Sequence, residues 1–352
     1  MIRTKFLLRV ATAATLSLSA VVATAQDVHF TQFDATPLLV NPAFTGAFDG
    51  RMRVAAIYRD QWRNAMGGDA AFKTVAASVD APIVRDLSVD DYLAAGIQFY
   101  NDRAGAANLA NNSVLASLAY HKFLGNGING PSTALSVGLQ GGYTQKSIDI
   151  SKLYFGNEFQ NGFFQQGTNG LQLNNRVNYF TLNVGLSAAH AFSENFGITL
   201  GLGANNLNQP RESFQKQENS QVGLDRRYTG QLGAIIYTGE RLSIRPGVLY
   251  QSQASATELV AGSEFNYIVG NPEFRNYATK VFAGGWWRKD DAAMFTAGVE
   301  IKGLRIGASY DYNTSSLKTA TNGNGGFEIS LRYIMADPID FARRLIYPCA
   351  RF

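Results

Sequence analysis

Few residues in this chain could do bond-making chemistry. It has three histidines, His29, His121 and His190, and one cysteine, Cys349. The histidines stand at no metal-ligand spacing, and neither HExxH nor CxxC occurs. Each reads as a hydrogen-bonded or solvent-facing side chain. A serine hydrolase needs Ser beside His with a third polar group behind it. His190 near Ser187 and Ser193 is the nearest approach, and a serine-rich chain supplies such proximity by chance. Gly201 and Gly203 in "LGLGAN" lack the helix that a phosphate-cradling glycine loop must open. They read as small residues easing the curvature of a sheet. Cys349 cannot form an intramolecular disulfide and reads as a tucked-away thiol. No enzyme, cofactor or metal site is expected.

What polar chemistry remains is charge set within strand-like segments. Glu300, Arg305, Asp311, Glu328 and Arg332 lie on three consecutive ones and alternate in sign, so they can pair across neighbours. An ion-pair network holding a polar wall is the first reading, and a transport or selectivity site the second.

The segments carrying these charges come after an N-terminal stretch of a different kind. "MIRTKFLLRV" brings Arg3, Lys5 and Arg9, an apolar run extends from Val10 to Val22, and Ala23-x-Ala25 offers a cleavage site before Gln26. Residues 1–25 therefore read as a secretory signal; the run is shorter than the ~20 residues a membrane helix needs. Removing the three basic residues takes the formal charge from +4 to +1, so the high pI says nothing about nucleic acid, and no nucleic-acid partner is expected.

Beyond the leader the chain is rich in glycine (35) and poor in proline (9), with period-2 alternation throughout. In "RLSIRPGVLYQ", Leu242, Ile244, Val248 and Tyr250 share one face, and Ser243, Arg245 and Gln251 the other. In "GLRIGASYDYN" and "GFEISLRYI", one face is wholly apolar and the other carries full charges. An exported chain whose strands reach nine to twelve residues, with Tyr and Phe near their ends, fits a transmembrane antiparallel β-barrel with lipid outside and a polar lumen. Fourteen strands are expected, at 51–60, 72–80, 92–101, 112–122, 133–145, 177–191, 196–204, 227–237, 241–252, 255–269, 277–288, 292–301, 304–312 and 326–334. Connections 146–176, 205–226 and 313–325 are long and share one end. "SEN" (193–195), "TGE" (238–240) and "KG" (302–303) are tight and share the other. Long outside and short inside is the outer-membrane arrangement, which places both termini in the periplasm. The connection 81–91 is long for an inner turn, and the outer turns near 253 and 290 are short.

In front of the strands stands "HFTQFDATPLLVNPAFTG" (His29–Gly46), apolar, with Pro37 and Pro42. Together with "YRDQW" (58–62) it resembles the opening of the PorP/SprF family of Bacteroidota outer-membrane proteins. The similarity continues through "LYFGNEFQNGF", "NNLNQPRESF", "RRYTGQLG", "RPGVLYQSQASATEL", "GVEIKGLRIGASYDYNTSSL" and "GGFEISLRY". Phe327 stands where that family often has His, and Pro348-Cys349 reverses its usual Cys-Pro. "NPAFTG" is also similar to an element of fatty-acid-transporter barrels, where the segment folds into the lumen as a hatch.

The resemblance implies a component of the type IX secretion and gliding-motility machinery. Its members assist export or surface attachment of large adhesins, or form a core subunit contacting periplasmic peptidoglycan-associated proteins. A segment with two prolines cannot join a sheet interior, and a wide barrel is not filled by wall side chains alone. Residues 26–50 are therefore expected to plug the barrel, with His29, Gln32, Pro37, Asn41, Pro42 and Gly46 as its signature, or else to form a periplasmic belt for a partner. The barrel proper spans 51–335, and 336–352 is a periplasmic tail. Tyr154, Phe155, Phe159, Phe163, Phe164 and Phe214 in the long outer loops are candidate contacts for cargo. The rival reading is a solute channel of the fatty-acid-transporter type. Besides cargo, the expected partners are outer-membrane lipid and other secretion subunits.

Overall fold

The computed structural model describes residues 29–68, 70–85, 87–88, 91–124, 132–160, 163–165, 167, 170–216, 223–270, 278–316 and 318–336. The expected signal peptide and the tail with Cys349 lie outside the described residues.

Fourteen antiparallel strands close into one barrel. They are β1 (Met52–Gln61), β2 (Phe72–Arg85), β3 (Asp91–Ala104), β4 (Leu109–Leu124), β5 (Ser132–Ser147), β6 (Arg176–Ser193) and β7 (Phe196–Asn205) in the first half. The second half has β8 (Arg227–Thr238), β9 (Leu242–Gln253), β10 (Ala256–Ile268), β11 (Lys280–Arg288), β12 (Ala292–Ile301), β13 (Leu304–Asn313) and β14 (Asn324–Met335). Each strand pairs with its sequence neighbours, and β1 pairs with β14 from Met52↔Met335 to Gln61↔Gly326. Closure leaves no free edge, which removes the aggregation hazard of unpaired backbone groups.

The burial pattern is inverted relative to a water-soluble sheet. On β13 the residues Arg305, Ser309, Asp311 and Asn313 are buried, whereas Leu304, Ile306, Tyr310 and Tyr312 are exposed. Around the wall the large exposed residues are Val, Leu, Ile and aromatics, among them Val114, Leu139, Phe180, Leu202, Phe295 and Leu331. The polar face turns inward and the apolar band outward, the arrangement of a transmembrane barrel, whose outer surface suits a hydrocarbon solvent.

All fourteen expected strands occur, with shifted ends. β2 continues through "APIVR" because its alternation does not stop at Asp80, and the connection expected at 81–91 shrinks to 86–90. β11 is described from Lys280, against an expected start at 277, which lies outside the described residues. The long-loop end otherwise holds 148–175, 206–226 and 314–323. The two-residue Lys302–Gly303 turn has φ of 48° and 84°. Two positive φ values match the strand twist of a tight hairpin, and a glycine second in the turn adopts its value without strain.

Candidate functional site

Residues 30–50 lie inside this wall. Pro37 opens a short helical turn, Pro37–Val40, and Pro42 a second, Pro42–Phe44. Proline suits a first turn because no N–H is needed there. Asn41 joins them: its Oδ1 accepts the Ala43 N–H at 2.9 Å, while its Nδ2 donates to the carbonyls of Leu186 (3.1 Å) and Leu202 (3.3 Å). The Asn-Pro pair therefore replaces strand pairing with side-chain bonds to two wall strands. It sits in a notch of glycines. A Cβ at Gly138 would strike the Pro42 backbone, and one at Gly185 the Asn41 amide. Gly201 likewise faces Asn41 and Phe44. These wall glycines make room for the segment, a more specific role than the sheet curvature expected of Gly201 and Gly203.

From the long-loop half the segment crosses the lumen and then descends to the short-turn end. Near β13 and β14, the N–H groups of Thr31 and Gln32 donate to Glu328 at 2.8 and 3.0 Å. Opposite, the carbonyls of Leu39 and Val40 accept from Arg227 (3.3 Å) and Thr229 (3.2 Å). Lower down, His121 bonds the Thr45 carbonyl through Nε2 at 2.7 Å and Ser136 through Nδ1 at 2.7 Å, stacked on Tyr92. The Gly46 N–H donates to Asp80 at 2.6 Å and the Gly46 carbonyl accepts from Tyr92 at 3.0 Å. Phe30, Leu38, Asn41, Ala43 and Thr45 are all buried.

The five expected wall charges fall into two clusters. In the long-loop half, Arg59 bridges Asp311 (3.0 Å) and Glu328 (2.7 Å), and Arg288 lies 3.5 Å from Asp311. In the short-turn half, Arg305 holds Glu264 at 2.6 Å and Glu300 at 3.5 Å, Lys280 pairs with Glu300 at 2.8 Å, and Arg332 meets Asp34 of the segment at 3.4 Å. A third pair, Arg53–Asp80 at 2.7 Å, is fully enclosed. Arg59, Arg288, Glu264, Lys280, Arg53, Asp80 and Asp34 were not singled out in the sequence. Their inward parity was readable, but Arg59↔Glu328 is a register contact across barrel closure, which no local pattern reveals.

His29 is 3.7 Å from Glu258. Burial, with Arg288 and Arg59 nearby, lowers its pKa to about 4 although Glu258 opposes the shift. The imidazole is therefore neutral at pH 7. His190 bonds Thr133 at 2.8 Å, and Ser187 points into the lumen from the opposite face of β6, so the two do not form a nucleophile–base pair. Among the described residues no group of three His, Cys, Asp or Glu is placed to hold a metal.

The loop aromatics occupy a built surface. Glu158, itself buried, accepts the N–H groups of Phe155 (3.0 Å) and Gly167 (2.7 Å), which closes a small hairpin pairing Phe159 with Phe164. Tyr154, Phe159 and Phe163 are exposed; of Phe164 only the backbone is described. Phe214 lies in the other long loop, and its carbonyl accepts the Asn174 N–H at 2.6 Å. The Lys216 N–H bonds the Gln172 carbonyl at 3.0 Å, Leu173 bridges Gln215, and Lys146 pairs with Glu212. The two long loops thus brace each other.

Among solved structures, the Pseudomonas putida toluene transporter TodX is 11% identical, with 87% of this chain and 93% of that chain covered and a TM-score of 0.47. A bacterial polysaccharide outer membrane secretin is 10% identical, with 82% and 99% covered and a TM-score of 0.36. CdiB from Acinetobacter baumannii is 8% identical, with 80% and 60% covered and a TM-score of 0.42. A search of curated protein sequences finds no match. The family model described as "Type IX secretion system membrane protein PorP/SprF" matches residues 22–333. With nearly the whole barrel and its inner segment inside that match, the chain belongs to the PorP/SprF family of type IX secretion system membrane proteins.

Proposed function

We propose that this chain is a non-enzymatic outer-membrane barrel of a Bacteroidota type IX secretion system, shut by its N-terminal segment, that assists export or surface attachment of a large adhesin. In this reading the long-loop end faces outward and the short-turn end, where the segment leaves the lumen and β14 ends, faces the periplasm.

The observation that carries the reading is the bonding of the segment to every side of the wall. Glu328 alone makes four bonds inside the lumen, to the N–H groups of Thr31 and Gln32, to Arg59 and to Ser309. Opening a path for solute past that point would strip a buried carboxylate of its partners, and buried polar groups left unpaired are costly. A shut barrel works through its surfaces. The braced loops present Tyr154, Phe159 and Phe163 to the outside, and exposed aromatics on an ordered scaffold suit protein contacts. A core role through periplasmic peptidoglycan-associated partners would use the opposite end.

Quantitative proteomics of the cell surface and medium after deletion of the gene, with any paralogues removed, tests this. Loss of one large adhesin while other cargo is still exported supports the accessory role. Loss of all type IX cargo would replace it with a core role, and an unchanged secretome would overturn both.

A further inference from the structure

Beneath the crossing segment, in the short-turn half, the lumen holds a cavity of about 190 Å³. Its lining is apolar along Phe33, Val40, Phe44 and Trp286, and Arg245 reaches it from β9. Cavities of ~150 Å³ accept a group the size of benzene, so this one takes a head group and the first carbons of a chain.

Two features of its wall have no part in the function proposed above. The first is a seam. β8 and β9 pair up to Gly233↔Gly247 and again from Ile236↔Ile244, while Ala234–Pro246 and Ile235–Arg245 are missing from the ladder. A proline has no N–H to give the Ala234 carbonyl, and a bond at that place is what both missing pairs need. Leu232, Ala234, Pro246 and Val248 belong to the lipid-facing parity of these strands, yet they line the same cavity as the inward Arg245. The cavity therefore reaches through the wall between β8 and β9.

The second feature is a cation without a counter-ion. Arg305, Lys280 and Arg332 nearby are bonded to Glu264, Glu300 and Asp34. Arg245 has no hydrogen-bond or ion-pair partner among the described residues, and its Nε is buried without an acceptor. A guanidinium beside an apolar cavity favours an anionic oxygen pair.

We propose that this cavity binds a single-chain anionic lipid that enters from the bilayer through the β8–β9 seam, its carboxylate or phosphate on Arg245 and its chain running out past Ala234 and Pro246 toward the lipid-facing Leu232 and Val248. The site lies in the periplasmic half of the membrane if the orientation above holds. Binding itself requires only that the barrel be embedded in lipid, so its test is independent of the secretion role.

The test uses the full-length protein purified in nonionic detergent, with radiolabelled dodecanoate and dodecyl phosphate as probes and inorganic phosphate as competitor. Saturable binding of either probe is expected, weakened at least tenfold in Arg245→Gln, and the tighter probe identifies the head group. Gly247→Leu, whose added Cβ would sit 3.3 Å from Trp286, should block binding as well. Both variants are scored only after their barrels show the wild-type heat-dependent shift on electrophoresis, and Arg245→Lys stands in if Arg245→Gln does not fold. A photoreactive dodecanoate in phospholipid vesicles should crosslink at Leu232 or Val248, and less so in Pro246→Ala. Absence of saturable binding, binding undiminished in Arg245→Gln, or displacement by inorganic phosphate as potent as by the lipid would each overturn the proposal, the last by making this a free-anion site.

Discussion

Glu328→Ala is the perturbation that separates a bonded segment from one merely resting in the lumen. The carboxylate is fully buried and accepts the Thr31 and Gln32 N–H groups at 2.8 and 3.0 Å. Without it both donors lose their acceptor. At about 1.5 kcal/mol for each, docking weakens by about 3 kcal/mol, or roughly 100-fold. Arg59 keeps Asp311 at 3.0 Å, which limits the damage to the wall. The reporter is Thr36→Cys in a Cys349→Ser background. Thr36 is buried and its hydroxyl has no partner, so the thiol removes no bond. Maleimide labelling of Cys at that position should accelerate roughly 100-fold in Glu328→Ala, if release precedes labelling. Heat-dependent electrophoretic mobility confirms that the barrel is closed. Labelling at the parental rate in an intact Glu328→Ala barrel would refute the reasoning.

Three further outcomes follow from the same contacts. Gly138→Leu or Gly185→Leu forces side-chain atoms into Pro42 or Asn41; each should release the segment, at ~1–3 kcal/mol or more, and raise labelling at position 36 while the barrel stays closed. His29 has a docked pKa of about 4 against 6.5 when free, so the released segment takes up the proton first. Docking should then weaken as pH falls through that window, roughly 30-fold by pH 5, and His29→Gln should remove the dependence when rates are normalised to free thiol. Glu158→Ala leaves the Phe155 and Gly167 N–H groups without their acceptor; loop 148–175 should become a protease target, with cleavage products by mass spectrometry as the readout and barrel stability unchanged.

The wall was legible because a membrane strand states its two solvents residue by residue. Leu304 to Tyr312 alternate with Arg305 to Asp311, and nothing nonlocal is needed to read them. Strand ends were less so: "APIVR" keeps the alternation past Asp80, and only the partner strand decides where pairing stops. The site was half legible. Asn41, Pro42 and Gly46 stood out within a proline-bearing stretch that a sheet cannot use; Asn41 and Gly46 are bonded to the wall, and Pro42 packs against Gly138. Arg59 did not stand out, since its meaning depends on β1 meeting β14. The glycine notch was equally hidden. Gly138, Gly185 and Gly201 are far apart in sequence and become one surface only when β5, β6 and β7 lie side by side. Of the five expected wall charges, Glu300 and Arg305 pair directly, whereas Asp311 and Glu328 meet through Arg59.

Single-channel recording in planar bilayers tests most directly whether this is a shut scaffold or a pore. Wild-type protein should insert without conductance steps, and a chain lacking residues 29–45, verified as a closed barrel, should give open channels, because fourteen strands enclose a lumen that wall side chains do not fill. Equal steady conductance from both would contradict the account.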